Sequence, residues 1–433
     1  MTETHPDNRK LLMALYKEAV RAALPAAILP AHLPPLPKGR FIVFAIGKAA
    51  ASMAAATEAH YADTKLEGIA LTRYGHGVKT RNIEVIEAGH PVPDANGVSA
   101  SARIMEMAEG LGPDDFALAL ISGGGSALTT LPIDGVTLKD KQALTKALLN
   151  AGAPIHDINT VRKHLSRIKG GRLAAAIAPA RSLTLAISDV TGNDPAVIAS
   201  GPTVPDPSTK EDALAILDRW KIDVPATILA ALKAAPESPK AGDKVFADAH
   251  YELVASGMGS LNAATRLAEA EGYEVINLGD ALEGEARNLA KAHADLALTA
   301  KAEGRKCAII SGGEVSVTFE RKTDGRGGPS QEYTLALALA LEGAEGISAL
   351  AGDTDGIDGG SGAHNDPAGA MIFPDTLRRA KEKGLDVQKA LEDHNSGRFF
   401  DMIGDLVKTG PSFTNVNDFR VILIERSSAT KAG

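Results

Sequence analysis

The residues best suited to chemistry stand where short apolar runs end. Gly47-Lys48 follows the run Phe41–Ile46, and Ser122-Gly123-Gly124-Gly125-Ser126 follows a second. Ser188-Asp189-Val190-Thr191-Gly192 follows a third. The second half repeats the device with Ser256-Gly257, Ser311-Gly312-Gly313-Glu314 and Gly352-Asp353-Thr354-Asp355-Gly356. Glycine lets backbone approach a ligand, and amides opening a following helix favour anions. A single tight strand-to-helix turn would use the same residues. Their repetition along one edge points to an anion-binding crevice.

Three groups of charged residues add to this. Lys48 comes one residue past a buried strand and before an alanine-rich helix, so its ammonium faces the crevice or reaches solvent over the rim. There it could bind a carboxylate or neutralise a transferring phosphoryl group. Arg326 sits in Asp324-Gly325-Arg326-Gly327-Gly328-Pro329, a glycine-flanked loop before a helix expected to start near Ser330. Its fork suits phosphate or carboxylate oxygens. Lys163, His164, Arg167, Lys169 and Arg172 form a basic stretch. Lys169-Gly170-Gly171-Arg172 reads either as a cationic ligand-binding turn or as a solvated helix end.

Acidic residues complete the set. Asp189, Asn193 and Asp194 follow one strand; Asp353, Asp355 and Asp358 follow another, with Asn365 and Asp366 beyond. Helix caps and Asx-turns account for most of these one by one. At strand ends, however, such oxygens also suit Mg²⁺, which takes one or two carboxylates plus phosphate oxygens and water. Candidate metal ligands are Asp189, Asp353 and Asp355. Carboxylates, glycine loops and two cations together are the parts of a phosphoryl-transfer site.

Missing motifs narrow the choice. There is no G-x-x-x-x-G-K-[ST], no G-x-G-x-x-G, no H-E-x-x-H and no G-x-S-x-G. Gly123-Gly124-Gly125 with Leu128, and Gly257-Met258-Gly259 with Asn262, each fail at the third glycine of a dinucleotide fingerprint. Hydride transfer is therefore disfavoured against phosphoryl transfer.

The elements that must position these residues alternate. Strands are predicted at Phe41–Ile46, Ile83–Ala88, Phe116–Ser122, Leu183–Ser188, Tyr251–Ser256, Glu274–Leu278, Cys307–Ser311, Ile347–Ala351 and Phe419–Ile424. Helices are predicted at Lys10–Ala23, Ala49–Tyr61, Ser99–Glu109, Lys139–Leu149 and Leu261–Glu271. Ile158, Val161, Leu165 and Ile168 recur at helical spacing and should lay one stripe on a core. The pattern is α/β, with nearly continuous apolar strands covered on both faces. The polar, proline-containing stretch Pro236–Ala247 divides domains at 1–240 and 250–433.

Bulk properties agree. The 433 residues carry 46 Lys+Arg against 54 Asp+Glu, a net charge of −8, which excludes nucleic acid as the main partner. No apolar stretch reaches membrane-span length. One cysteine, Cys307, rules out an internal disulfide framework. The reading is a cytoplasmic enzyme, with homo-oligomerisation left open.

At this level the motifs resemble the class II glycerate kinases, whose C-terminal part is called the MOFRL domain. The resemblance runs from Phe41 to Ile424. It is carried by AIGKAAASMA (45–54), LISGGGSAL (120–128), NTVRKHLSRIKGGRLAAA (159–176) and ISDVTGNDPAVIASGPTVPD (187–206). SGGEVSVT (311–318), GRGGPSQEYTLALAL (325–339), AGDTDGIDG (351–359) and TGPSFTNVNDFRVILI (409–424) complete it. It implies a larger Rossmann-like N-terminal domain and a smaller MOFRL-type domain, with the active site in the cleft between them. It also implies ATP- and Mg²⁺-dependent phosphorylation of D-glycerate at the 2-hydroxyl. The family's proposed catalytic lysine and arginine fall on Lys48 and Arg326. Gly47, Ser122–Ser126, Lys169, Arg172 and Ser311–Glu314 become expected substrate or nucleotide contacts. Three departures border the crevice: Asn193 where an acid is common, the glycine-rich Gly359–Pro367, and Asn395-Ser396-Gly397-Arg398. The rival reading is an NAD(P)H-dependent hydroxypyruvate reductase. A third is a non-catalytic nucleotide or metabolite sensor on the same fold.

Overall fold

Six apolar segments of the first half form one sheet in the computed structural model, which describes residues 5–319, 324–359 and 365–426. They are β1 (Phe41–Ile46), β2 (Glu67–Arg73), β3 (Glu84–Ala88), β4 (Phe116–Ile121), β5 (Arg181–Ile187) and β6 (Ala249–Ala255). Their order is β3-β2-β1-β4-β5-β6, and the β1–β2, β2–β3, β1–β4 and β4–β5 pairs are parallel. That is the order of a doubly wound nucleotide-binding sheet. All six residues of β1 are buried, as a strand covered on both faces requires. One face packs Ile42, Phe44, Ile46, Ala117, Ala119 and Ile121 against Ala100, Ile104 and Ala108 of the helix Ala95–Glu109. A separate helical core joins Leu144 and Leu148 to Ile158, Val161, Leu165, Ile216 and Leu232. Ile168 leaves that stripe and packs under the sheet instead, because the helix Ile155–His164 has already ended.

The second unit contains β7 (Glu274–Asn277), β8 (Gly284–Glu285), β9 (Cys307–Gly313), β10 (Val315–Ser316) and β11 (Ile347–Asp353). It continues with β12 (Gly369–Ile372), β13 (Leu406–Val407) and β14 (Asp418–Ile424). Six of these form a mixed sheet ordered β13-β12-β11-β14-β9-β7, while β8 and β10 pair separately. Helices Ala286–Ala302, Pro329–Leu341 and Ser396–Ile403 supply residues to the core on one face. Helix Gly257–Ala270 and the leading helix Pro6–Arg21 supply the other.

The units comprise Pro25–Val254, and Met1–Leu24 with Ala255–Gly433. Two segments therefore lie elsewhere than a division at 1–240 and 250–433 would put them. Leu12, Leu15, Tyr16 and Ala19 form a helical stripe whose partners are Leu350, Phe419, Val421 and Leu423, so the leading helix joins the C-terminal unit. Strand β6 stays with the N-terminal sheet beside β5, where Ser182 N donates to Asp248 O at 3.0 Å. Of Gly359–Pro367, residues 360–364 lie outside the described residues. Among the described residues no helix is long and apolar enough to cross a membrane.

Candidate active site

The strand order of the N-terminal sheet reverses between β1 and β4, and in such sheets the carboxyl ends at that point form the ligand crevice. Gly47-Lys48 and Ser122–Ser126 are the two segments leaving it. Gly47 has φ +121°, and a Cβ there would lie 2.4 Å from the Ser122 carbonyl oxygen, so only glycine fits. Lys48 N donates to Gly123 O at 2.8 Å. Ser122 Oγ accepts from Ala49 N at 3.1 Å and donates to Ile46 O at 3.2 Å. The two segments are thus stitched together by backbone and a buried hydroxyl.

Three functional groups crowd the triglycine segment. A Cβ on Gly123 would fall 1.8 Å from Asp189 Oδ2, so the Asp189 carboxylate lies directly on this glycine. A Cβ on Gly124, at φ +78°, would be 3.0 Å from His90 Nε2 and 3.1 Å from Lys48 Cγ. Burial pushes His90 down to about 4, helped by the charges of Lys48, Arg73, His76 and Arg162, so its imidazole is neutral near pH 7. Positive charge accumulates here around the glycine segment, of which Gly124 is half-buried and Gly123 and Gly125 are buried, and such a field suits an anionic ligand.

Ser126 closes the segment. Its hydroxyl meets Ser200 Oγ at 2.7 Å, and its carbonyl accepts from Lys169 Nζ at 2.8 Å and Arg162 Nη2 at 3.0 Å. Lys169 is 1% exposed, also donates to Thr129 Oγ1 at 3.2 Å, and has its pKa pushed well down by burial. It therefore supports the segment from inside rather than forming a solvent-facing turn. Arg172 donates to the carbonyls of Lys163, Lys169 and Pro236 at 3.4, 3.2 and 3.2 Å, so its fork ties chain ends together.

The C-terminal candidates differ more from expectation. Ser311, Gly312 and Gly313 belong to β9, paired with Arg420, Phe419 and Asp418 of β14. Gly312 N donates to Gly279 O at 2.9 Å, and buried Arg420 donates to Gly312 O and Gly313 O at 2.9 and 3.2 Å. The segment is strand, not a free loop, and the Gly312 amide is committed within the sheet; Glu314 is the exposed residue after it. Asp353 Oδ1 accepts from Asp355 N, and Asp355 Oδ1 from Ile357 N, both at 2.9 Å, giving successive Asx-turns. Asp358 accepts from Ser330 N at 2.9 Å and Gln331 N at 2.8 Å, capping the helix Pro329–Leu341. Burial and the Asp418 carboxylate push its pKa up to about 7.

Arg326 is exposed, and its backbone is gripped by the departure segment. Its N–H donates to Asn395 Oδ1 at 3.1 Å, and its carbonyl accepts from Gly397 N at 2.7 Å. A Cβ on Gly327 would strike Ser396 Oγ at 2.2 Å. Asn395–Gly397 is thus the platform that orients the arginine loop.

Among the described residues no three His, Cys, Asp or Glu side chains gather in a metal-binding group. Mg²⁺ arriving with nucleotide phosphates needs only one or two carboxylates. Asp189 at the triglycine segment fits that donor set, and Asp353 and Asp355 each carry one oxygen already used in a turn. His90 and Arg162 stand outside the set the sequence pointed to. Arg162 was visible inside the Asn159–Ala176 motif but was not separated from its basic neighbours.

Comparison with known proteins adds identity to this geometry. Residues 11–233 match the model described as Domain of unknown function (DUF4147), and residues 307–418 match the MOFRL family. The chain is 38% identical over 421 residues to D-glycerate 2-kinase of Thermotoga maritima, covering 96% of this chain and 98% of that one. It is 49% identical over 428 residues to an Agrobacterium vitis protein named "Putative hydroxypyruvate reductase", covering 98% and 96%. The crystal structure of glycerate kinase from Thermotoga maritima superposes with TM-score 0.87 at 37% identity, covering 96% and 99%. The chain therefore belongs to the glycerate kinase family built from a DUF4147 domain and a MOFRL domain.

Proposed function

We propose that this protein transfers the γ-phosphoryl group of ATP to the 2-hydroxyl of D-glycerate, releasing 2-phosphoglycerate and ADP. The observation that carries the reading is the switch-point cluster, where Lys48, the Gly123–Gly125 backbone and Asp189 meet in a field of positive charge. Both reactants are anions, and phosphoryl transfer asks a protein for positioning and charge stabilisation more than covalent chemistry. Lys48 stabilises charge on the transferring group. Arg326 is a second cation, aimed by Asn395 and Gly397. Gly124 lets the ligand approach the backbone closely. Asp189 would hold Mg²⁺, with Asp353 and Asp355 as alternatives, and the ion supplies neutralisation of nucleotide phosphate charge.

The reductase reading has the name of the Agrobacterium vitis relative behind it. Against it stands Leu128 in place of the third fingerprint glycine. The buried, free Cys307 fits a reducing, cytoplasmic setting. The product tests the proposal. ³¹P NMR of the reaction with ATP, Mg²⁺ and D-glycerate should show phosphate coupled to the C2 proton. Phosphate on the 3-hydroxyl would overturn the regiochemistry.

A further inference from the structure

Three basic side chains of the N-terminal unit gather with no acid hydrogen-bonded to them. Arg162 Nη2 and Lys169 Nζ both donate to the Ser126 carbonyl, at 3.0 and 2.8 Å. Lys141, on the helix Leu138–Asn150, is 7% exposed, and its ammonium has no hydrogen-bond partner. The charges acting on Lys141 are those of Arg162 and Arg172, and Lys141 itself acts on Lys169. Nearby carboxylates pair first with other groups, although Asp206 Oδ2 is buried without a hydrogen-bond partner and its charge also acts on Arg172. Asp206 takes Lys163 Nζ at 2.5 Å, Glu237 accepts from Lys210 N and Ser238 N, and Asp140 accepts from Thr137 within its own helix cap.

A buried ammonium without a counter-ion is costly, and the cost is relieved when a ligand brings the missing charge. Arg162 is only half-buried, whereas Lys141 and Lys169 are buried, so Arg162 is the member of the group open to a ligand. Its planar fork matches a carboxylate. The phosphate end of the reaction already has Lys48 and Asp189 at Gly123 and Gly124.

We propose that Arg162 and Lys141, backed by Lys169, form the recess that binds the carboxylate of the hydroxy-acid acceptor. This rests on the kinase reading for the acceptor's identity. The recess fixes the acid end of the substrate and so selects short hydroxy acids over neutral polyols.

Calorimetric titration of D-glycerate and, separately, of ADP tests this on the wild type, Lys141→Met and Arg162→Gln, with melting temperature recorded for each. Lys141→Met should weaken D-glycerate binding by about 30-fold or more. ADP affinity should stay within about twofold, and the melting temperature should rise, because an unpaired buried charge is removed. A higher melting temperature with unchanged D-glycerate affinity would make Lys141 a merely structural lysine and overturn the proposal. Loss of ADP affinity with D-glycerate binding intact would overturn it in favour of a phosphate recess. Arg162→Gln supplies an independent reading of the same two affinities. Binding that follows these expectations in a protein that transfers no phosphoryl group would support the recess while overturning the kinase reading.

Discussion

Replacing Gly123 by alanine tests the switch-point cluster with little cost to the fold. Gly123 has no positive φ, so its backbone tolerates a side chain. The added Cβ would lie 1.8 Å from Asp189 Oδ2 and 2.2 Å from Asp189 Cγ. Restoring an ordinary contact of about 3.5 Å requires that oxygen to retreat by about 1.7 Å. The displaced atoms are the end of a flexible side chain, so Asp189 rotates rather than the sheet deforming. A displacement of about 1 Å at a reacting centre costs about 100-fold in rate. Gly123→Ala should therefore lower kcat by about two orders of magnitude, with a melting temperature near that of wild type. Steady-state kinetics across a Mg²⁺ titration, with thermal melts on the same samples, measures both. Turnover within about threefold of wild type would refute a role for Asp189 at this position. A collapse in melting temperature would refute the claim that only the carboxylate moves.

Other consequences follow from the same geometry. Lys48→Ala and Arg326→Ala should each lower turnover by about 100-fold or more while leaving the fold intact, read by kcat and circular dichroism. Leu15→Ala should destabilise the C-terminal unit by about 2–5 kcal/mol in denaturant melts, because this fully buried side chain seals one face of its sheet. Asp358 has a folded pKa above its unfolded value, so the stability it contributes is present at low pH and lost as pH rises through about 7. Melting temperatures at about pH 5 and about pH 8 should differ in that sense, and the difference should shrink in Asp358→Asn.

Much of this was legible in the chain because β-branched runs and glycine leave strong local signals. Gly47-Lys48 and the triglycine segment stand out since a strand that ends in glycine must serve a turn or a ligand. Strand β2 did not stand out: only Ile69, Ala70 and Leu71 are fully apolar and buried between Glu67 and Arg73. Helix Ala286–Ala302 was hidden for another reason. Its buried stripe is Ala286, Ala290, Ala294 and Ala297, and alanine contrasts weakly with its surroundings. Ser311-Gly312-Gly313 resembled a loop because glycine at a strand end looks the same whether or not a neighbouring strand pairs with it. Lys141, next to Asp140 on an amphipathic helix, carries no local signal of burial; only tertiary packing buries it. Asp358 shows the opposite case, since an acid read as a cap or turn residue does cap a helix.

The most direct test of the central claim supplies purified protein with two substrate pairs in parallel. One reaction contains ATP, Mg²⁺ and D-glycerate, with ADP release followed and the product passed to enolase without phosphoglycerate mutase. The other contains NADH or NADPH with hydroxypyruvate, and loss of nicotinamide absorbance is followed. The account predicts ADP release with an enolase-ready product and no nicotinamide oxidation. Nicotinamide oxidation without ADP release would contradict it and place a dinucleotide at a switch point that lacks the usual glycine fingerprint.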